Sequence, residues 1–184
     1  MKIKTLLVLL VPLLAAGPSL AADRLMVTVG GSSMHPDDSG YRDIYGGQAF
    51  FPEAAAAVRL SGGWYLAAGF GTLTKNGKTP VLGLDAKSTQ TFLTGGLGYL
   101  AKISGPMRFF LEAGVVDVIF KEESMEVSVS GSKVGYQGRM GLMVMGKTLL
   151  AGFSLGYLAA SGTVEDVEIK MGGPKASVFI GFRI

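Results

Sequence analysis

After residue 22, large apolar side chains alternate with small or polar ones, with a period of two, along most of the chain. Such a period places one set of residues on one face of an extended strand and the other set on the opposite face. Trp64, Leu66, Ala68 and Phe70 alternate with Tyr65, Ala67, Gly69 and Gly71. Leu93, Leu97, Tyr99, Ala101 and Ile103 alternate with Thr94, Gly96, Gly98, Leu100 and Lys102. The same pattern recurs over 109–115, 134–144, 149–159 and 175–184, and more weakly over 25–30 and 53–60. Helical spacing is scarce, and frequent Gly would weaken any helix by about 1 kcal/mol per residue. No segment after residue 22 has the eighteen consecutive apolar residues of a spanning helix. The reading is therefore all-β, with eight strands.

The connections fall into two classes that alternate along the chain. Ser61–Gly63, Ser104–Met107 and Gly146–Thr148 read as tight, Gly-containing turns. Residues 33–48, 74–90, 121–133 and 161–174 read as long loops that hold most of the charge. Parity is open past Val116. Asp117 would face outward unless a bulge intervenes or the strand has already left the membrane.

Glycine decides which face is inside. The chain has 28 Gly in 184 residues, with no collagen repeat. Gly69, Gly71, Gly96, Gly98, Gly114, Gly135, Gly141, Gly152, Gly156 and Gly181 all share the face opposite the large apolar residues; Gly95 and Gly138 are exceptions. Lys102, Glu112, Arg139, Lys175 and Arg183 share the glycine face. A soluble barrel would turn that face to water and expose mostly Gly, which is poor surface chemistry. A membrane barrel turns the apolar face to lipid and packs the small and charged residues into a narrow lumen. Charge on the lipid face would cost about 2–4 kcal/mol near the midplane, and the pattern keeps these residues off it. The expected fold is an eight-stranded, antiparallel, up-and-down transmembrane β-barrel.

Residues 1–22 read as a secretory signal peptide, leaving 23–184 as an outer-membrane barrel domain. Lys2 and Lys4 form the basic start, Thr5–Leu14 the apolar core, and Leu20-Ala21-Ala22 the cleavage end. The apolar core has about half the length a spanning helix needs. The whole chain carries 17 basic and 14 acidic residues. Removing Lys2 and Lys4 leaves 15 against 14, so the formal +3 falls to +1. No basic patch then argues for nucleic acid. An apolar share of 48% with only 17% charge argues against disorder, and the absence of Cys excludes a disulfide framework.

Trp64, Tyr99, Tyr136, Tyr157 and Phe182 fall on the outward face, mostly near strand ends, as interfacial aromatic girdles do. With Val178, Ile180, Phe182 and Ile184 as an outward row running to the last residue, the chain resembles the small eight-stranded outer-membrane β-barrels, the group around OmpX, the OmpA barrel domain and the opacity adhesins. The family's last residue is usually Phe, and here it is Ile184. The resemblance covers about residues 23–184. It implies the fold, an outer-membrane location beside lipid and lipopolysaccharide, and recognition of the last strand by the barrel-assembly machinery. It implies no activity.

Inside so narrow a barrel a charge needs a partner. Glu112 and Arg139 face inward on adjacent strands and are expected to pair, with Lys102, Gln137 or Arg59 joining them; the lumen reads as plugged by side chains, with a narrow channel as the alternative. His35 is the sole histidine, beside Ser32, Ser33, Asp37 and Asp38. Some barrels of the family's architecture acylate or deacylate lipid A with His and Ser at the outer rim, which makes a lipid-A-modifying enzyme the alternative class. His-Pro-Asp-Asp-Ser-Gly also reads as a turn. We expect no catalysis, cofactor or metal site, since one His and no Cys leave only loop carboxylates. What remains is surface interaction through loops 33–48 and 121–133. Tyr41, Arg42 and Tyr45 in the first are types enriched at recognition surfaces. Met125, Val127 and Val129 in the second keep alternating with Glu126, Ser128 and Ser130, so its strands can extend beyond the membrane.

Overall fold

The computed structural model describes residues 24–124, 127–164 and 167–184, without side chains for 162–169; residues 1–22, expected to be a signal peptide, and Met125 and Glu126 of the second loop lie outside the described residues. The strands are β1 (Leu25–Met34), β2 (Ala49–Arg59), β3 (Trp64–Lys78), β4 (Asp85–Ser104), β5 (Met107–Ser124), β6 (Val127–Met145), β7 (Leu149–Val164) and β8 (Val167–Arg183). They form one closed antiparallel barrel in chain order. Closure is by β1 with β8, from Met26↔Arg183 to Met34↔Lys175. It is clamped at the end by Leu25 N–H to Ile184 O (2.9 Å) and Ile184 N–H to Leu25 O (2.8 Å).

The tight turns lie where expected. Gly62 and Gly63 take positive φ (60° and 92°) in the β2–β3 turn, and a Cβ on Gly63 would stand 2.7 Å from Leu100 O. The long connections differ from expectation. Most of 74–90, 121–133 and 161–174 continues the strands, so that only 79–84 separates β3 from β4. The first connection holds a helix, α1 (Ser39–Tyr45), where the sequence reads as a turn.

Alternation sets the faces throughout. Val29, Leu66, Leu97, Leu111, Met140, Phe153 and Ile180 are exposed on the outside, a belt of apolar side chains around the barrel. On β5 it spans Met107 to Val115, about 27 Å along the strand, which a tilted strand needs to cross a hydrocarbon layer. Asp117 then faces outward. Pairing runs unbroken through Leu93↔Asp117 and Asp117↔Val134, so there is no bulge. The Ser132 hydroxyl donates to its carboxylate at 2.8 Å, and Lys121 and Glu123 follow on the same face. Asp117 therefore marks the upper edge of the apolar belt.

Above that edge the barrel opens. The β2–β3 ladder stops at Glu53↔Gly71, just before Pro52, which has no N–H to give a ladder. The β6–β7 ladder stops at Tyr136↔Ala159. Between these gaps β3–β6 continue together as a four-stranded sheet, up to Lys78↔Asp85 and Ser124↔Val127.

The core is the lumen. Met26, Tyr65, Leu100, Phe110, Met143, Met145 and Leu150 fill it near the turns. Phe51, Leu73, Phe92, Val116, Val118, Phe120, Leu158 and Met171 fill it near the opposite end. Glycine makes the wall thin enough for both. A Cβ on Gly114 would meet Gly95 O at 2.1 Å, and one on Gly141 would meet Phe153 O at 2.1 Å and the Phe110 ring. At outward Gly95 and Gly138 a Cβ would meet nothing within 4 Å. The Gly114→Val barrel should therefore lose about 1–3 kcal/mol in equilibrium urea unfolding, whereas Gly138→Val stays within about 0.5 kcal/mol of the parent. Equal losses at both sites would contradict this assignment of faces.

Candidate functional site

Three features can carry function: the polar layer in the lumen, the capped upper mouth and the outer surface. The polar layer lies between the two apolar fillings. Arg139 on β6 stands opposite Glu112 on β5 and donates twice, Nε to Oε1 and Nη2 to Oε2, both at 2.9 Å. Glu112 is buried, so the two-point contact supplies the oxygens' lost solvation. Arg139 also lies 5.8 Å over the Phe110 ring. A second pair, Lys175 with Glu53, joins β8 to β2. The Ser32 hydroxyl donates to Glu53 Oε2 at 2.5 Å and shares a 2.6 Å hydrogen bond with Ser177. Lys175 lies 5.7 Å from the Phe51 ring. Each cation thus rests on an aromatic ring of one of the apolar fillings, and two acids balance two bases. Cavities of about 60 and 30 Å³ border these pairs, room for a few waters and no more.

Of the residues expected around Glu112 and Arg139, Gln137 lines the smaller cavity with them. Lys102 is exposed near the end of β4, in register with Arg108. Arg59 ends β2 in register with Tyr65. Neither lines those cavities. The pair with Glu53 was not read from the sequence, although Glu53 and Lys175 both lie on the glycine face. What was missing is the register of β8 against β1, which brings β8 near β2.

At the upper mouth, Asp38 caps α1 by accepting from Tyr41 N–H at 2.8 Å, and Arg42 Nη1 ties the helix to Pro36 O and Asp37 O (2.7 and 2.8 Å). Tyr41, Ile44 and Tyr45 have the i, i+3, i+4 spacing of a helix face. The backbone of Ile44 sits on Gly77 of β3, where a Cβ would come within 2.0 Å of Ile44 O. The Tyr45 hydroxyl donates to Glu122 Oε2 and Ser88 to Glu122 Oε1, both at 2.5 Å. The helix therefore packs on β3 and is latched to β5 through Glu122, a carboxyl that Ser88 of β4 also holds. Burial holds the Glu122 carboxyl above the usual carboxylate range, while the Ser88 and Tyr45 hydroxyls pull it back.

The side chains around His35 are turned elsewhere. Ser32 points into the lumen, the Ser33 hydroxyl accepts from Gln48 Nε2 (2.9 Å), Asp37 accepts from the Tyr157 hydroxyl, and Asp38 caps α1. The segment is used to hold the helix in place.

On the outer surface, Trp64 and Tyr99 are cross-strand neighbours in edge-to-face contact (5.2 Å) near the turns, where Phe182 also lies. Tyr136 and Tyr157 stand near the upper edge of the belt, on paired stretches of β6 and β7. Val178, Ile180, Phe182 and Ile184 form an exposed row on the last strand. A depression of about 870 Å³ crosses β1, β2, β7 and β8, with small Gly31, Ser33 and Ala176 among walls that include Phe50, Phe153 and Leu155. At the far end, Val81 and Leu82 are 91% and 73% exposed at the tip of the β3–β4 hairpin. The sequence hides that tip, because Val81 and Leu82 are only two apolar residues within the charged stretch 74–90.

Two measurements follow. Arg139→Met should cost about 3–5 kcal/mol in urea unfolding, and adding Glu112→Leu should restore most of it; an Arg139→Met barrel as stable as the parent would remove the pair from the account. A carboxyl raised on folding favours the docked helix most below its ordinary titration range, and that advantage is lost as pH rises through the raised value. Amide exchange at Arg42 and Gly46, corrected for intrinsic rate, should quicken from pH 4 to 8, and Glu122→Gln should flatten the profile. A flat profile in the parent would contradict the latch.

No protein-family model and no curated protein sequence matches the chain. Solved structures do match. Neisserial surface protein A is similar with a TM-score of 0.63 at 14% identity, over 87% of this chain and 97% of that one. Ail, the attachment invasion locus protein of Yersinia pestis, in complex with the heparin analogue sucrose octasulfate, gives 0.60 at 15%, over 89% and 99%. The N-terminal β-barrel domain of Pseudomonas aeruginosa OprF gives 0.56 at 14%, over 89% and 98%. In fold, this chain is a small eight-stranded β-barrel of the outer-membrane type.

Proposed function

We propose that the protein is an outer-membrane barrel whose role is interaction at the cell surface, exercised by the sheet that rises beyond the lipid. The observation that carries this is the β3–β6 extension. Past Asp117 the outward residues of β5, Ile119 aside, turn polar, the strands continue for about 25 Å, and Val81 and Leu82 stand exposed at the tip. Exposed apolar side chains at the end of an otherwise polar projection mark a contact surface. Tyr41 and Tyr45 of the first connection face Ser88 and Glu122, and Arg42 ties α1 to Pro36 and Asp37, so this reading gives that segment a lid's role and moves recognition to the hairpin tips.

The supporting pieces agree. An apolar belt edged by Trp64, Tyr99 and Phe182 at one end and by Tyr136 and Tyr157 at the other suits a bilayer, with lipopolysaccharide around the upper rim. The row Val178, Ile180, Phe182 and Ile184 is what the barrel-assembly machinery would read. Residues 1–22 would direct export. The sealed lumen argues for a scaffold without conduction or catalysis. Ail, which carries attachment in its name and was solved with a heparin analogue, supports the class of role.

The test is Val81→Ser with Leu82→Ser in cells displaying the chain. Attachment of the cells to surfaces or to one another should fall to the level of cells lacking the protein, while the unboiled barrel keeps its shifted migration in detergent gels. Purified protein in planar bilayers should show no stable open state. Attachment unaffected by the double variant would overturn the surface role, and a large steady conductance would overturn the sealed lumen.

A further inference from the structure

We propose that the turn end of the barrel is a cationic collar that binds the anionic headgroups of phospholipids in the leaflet it meets, an inference that rests on the membrane reading above. Six cations gather there: Arg24 just before β1, Arg59 at the end of β2, Lys102 and Arg108 flanking the β4–β5 turn, Lys147 in the β6–β7 turn and Arg183 at the end of β8. Every acidic residue among the described ones lies in the polar layer of the lumen or at the opposite end. Asp23, which the sequence places near the collar, lies outside the described residues. The net charge near +1 for the mature chain therefore conceals a strong polarity, with cations concentrated at one end and most carboxylates at the other.

Geometry selects the ligand. The guanidinium groups are held at the level of the turns. Arg108 Nη1 donates to Gly105 O and Met107 O (2.8 and 3.0 Å), and Arg183 Nη2 donates to Lys147 O (3.1 Å). Arg59 N–H bonds Arg24 O at 2.8 Å, which keeps those two cations together. Beside them, Trp64, Ile103, Met107, Leu149, Phe182 and Ile184 end the lipid-facing belt. The charges thus stand where acyl chains stop and phosphates begin, a level that Lys and Arg stems reach readily. They also run around the circumference instead of clustering on one side. An annulus of headgroups has that shape, whereas one docked macromolecule would need a patch. Nor is the collar an entrance for a solute anion, because Met26, Leu100, Met145 and Leu150 close the lumen behind it.

The test measures lipid selectivity directly, with the mature chain in phosphatidylcholine bilayers that carry trace spin-labelled phosphatidylglycerol or spin-labelled phosphatidylcholine. The motionally restricted lipid at the barrel surface should favour phosphatidylglycerol by about five-fold, the worth of one close cation, and the preference should vanish in high salt. Arg59→Gln, Lys102→Gln, Arg108→Gln and Lys147→Gln combined should remove most of it. Lys75→Gln, Lys87→Gln and Lys121→Gln at the far end should leave it intact. If the combined collar variant does not fold, the four single variants, each lowering the preference, and the salt series replace it. No preference in the parent, or a preference untouched by the collar variants, would overturn the proposal. So would collar-dependent binding to purified peptidoglycan with lipid selectivity unchanged. A parent chain that enters no bilayer would defeat the membrane reading and the collar with it, an outcome distinct from insertion without selectivity.

Discussion

In a hydrocarbon layer no water can satisfy a backbone N–H or C=O, so a strand survives there only if both its edges are paired. The β1–β8 ladder meets that demand by returning the last strand to the first. Its clamp joins Leu25 to Ile184, the first strand residue to the last residue of the chain. Where lipid ends, the demand ends as well. Just past the belt the β2–β3 and β6–β7 ladders stop, and the freed strands rise as a sheet whose edges can face water. The same constraint thus explains both the closed wall and the open top.

Closing eight strands leaves a lumen that only side chains can fill. That is why glycine lines it and why its charges are arranged in pairs. Glu112 with Arg139 and Glu53 with Lys175 tie β5 to β6 and β2 to β8, so the polar layer braces opposite sides of the wall. Its cost is desolvation, offset by two-point geometry, by the Ser32 and Ser177 hydroxyls, and by the Phe110 and Phe51 faces. Apolar fillings lie on either side of this layer.

The fold was legible because alternation with glycine on one face leaves few alternatives, and Glu112 with Arg139 was legible because both fall on the glycine face of strands that are consecutive in the chain and therefore neighbours in an up-and-down barrel. Glu53 with Lys175 was not, since the register between the first and last strands depends on the whole barrel's stagger. Residues 79–84 and α1 were blurred for a different reason. Polar strands outside a membrane lose the apolar alternation that marks them, and a helix of two turns containing Gly40 has little periodic signal beyond Tyr41, Ile44 and Tyr45. Lys102 was expected beside Glu112 and Arg139 from its parity, but parity carries no information on height along the barrel. The residue sits at the rim, where an inward parity no longer means a buried side chain.

The central claim is that the large apolar face meets lipid and the glycine face meets the core. Trp64 is the sole tryptophan of the chain, exposed on the outer face at the turn end of the belt, so its fluorescence reports the claim without a label. In bilayers of phosphatidylcholine brominated at successive depths, quenching should be strong, greatest for bromines near the headgroups and weaker toward the midplane. Tryptophan emission that no brominated lipid quenches would contradict the account, because it would mean that the apolar face is turned inward and the barrel is inverted.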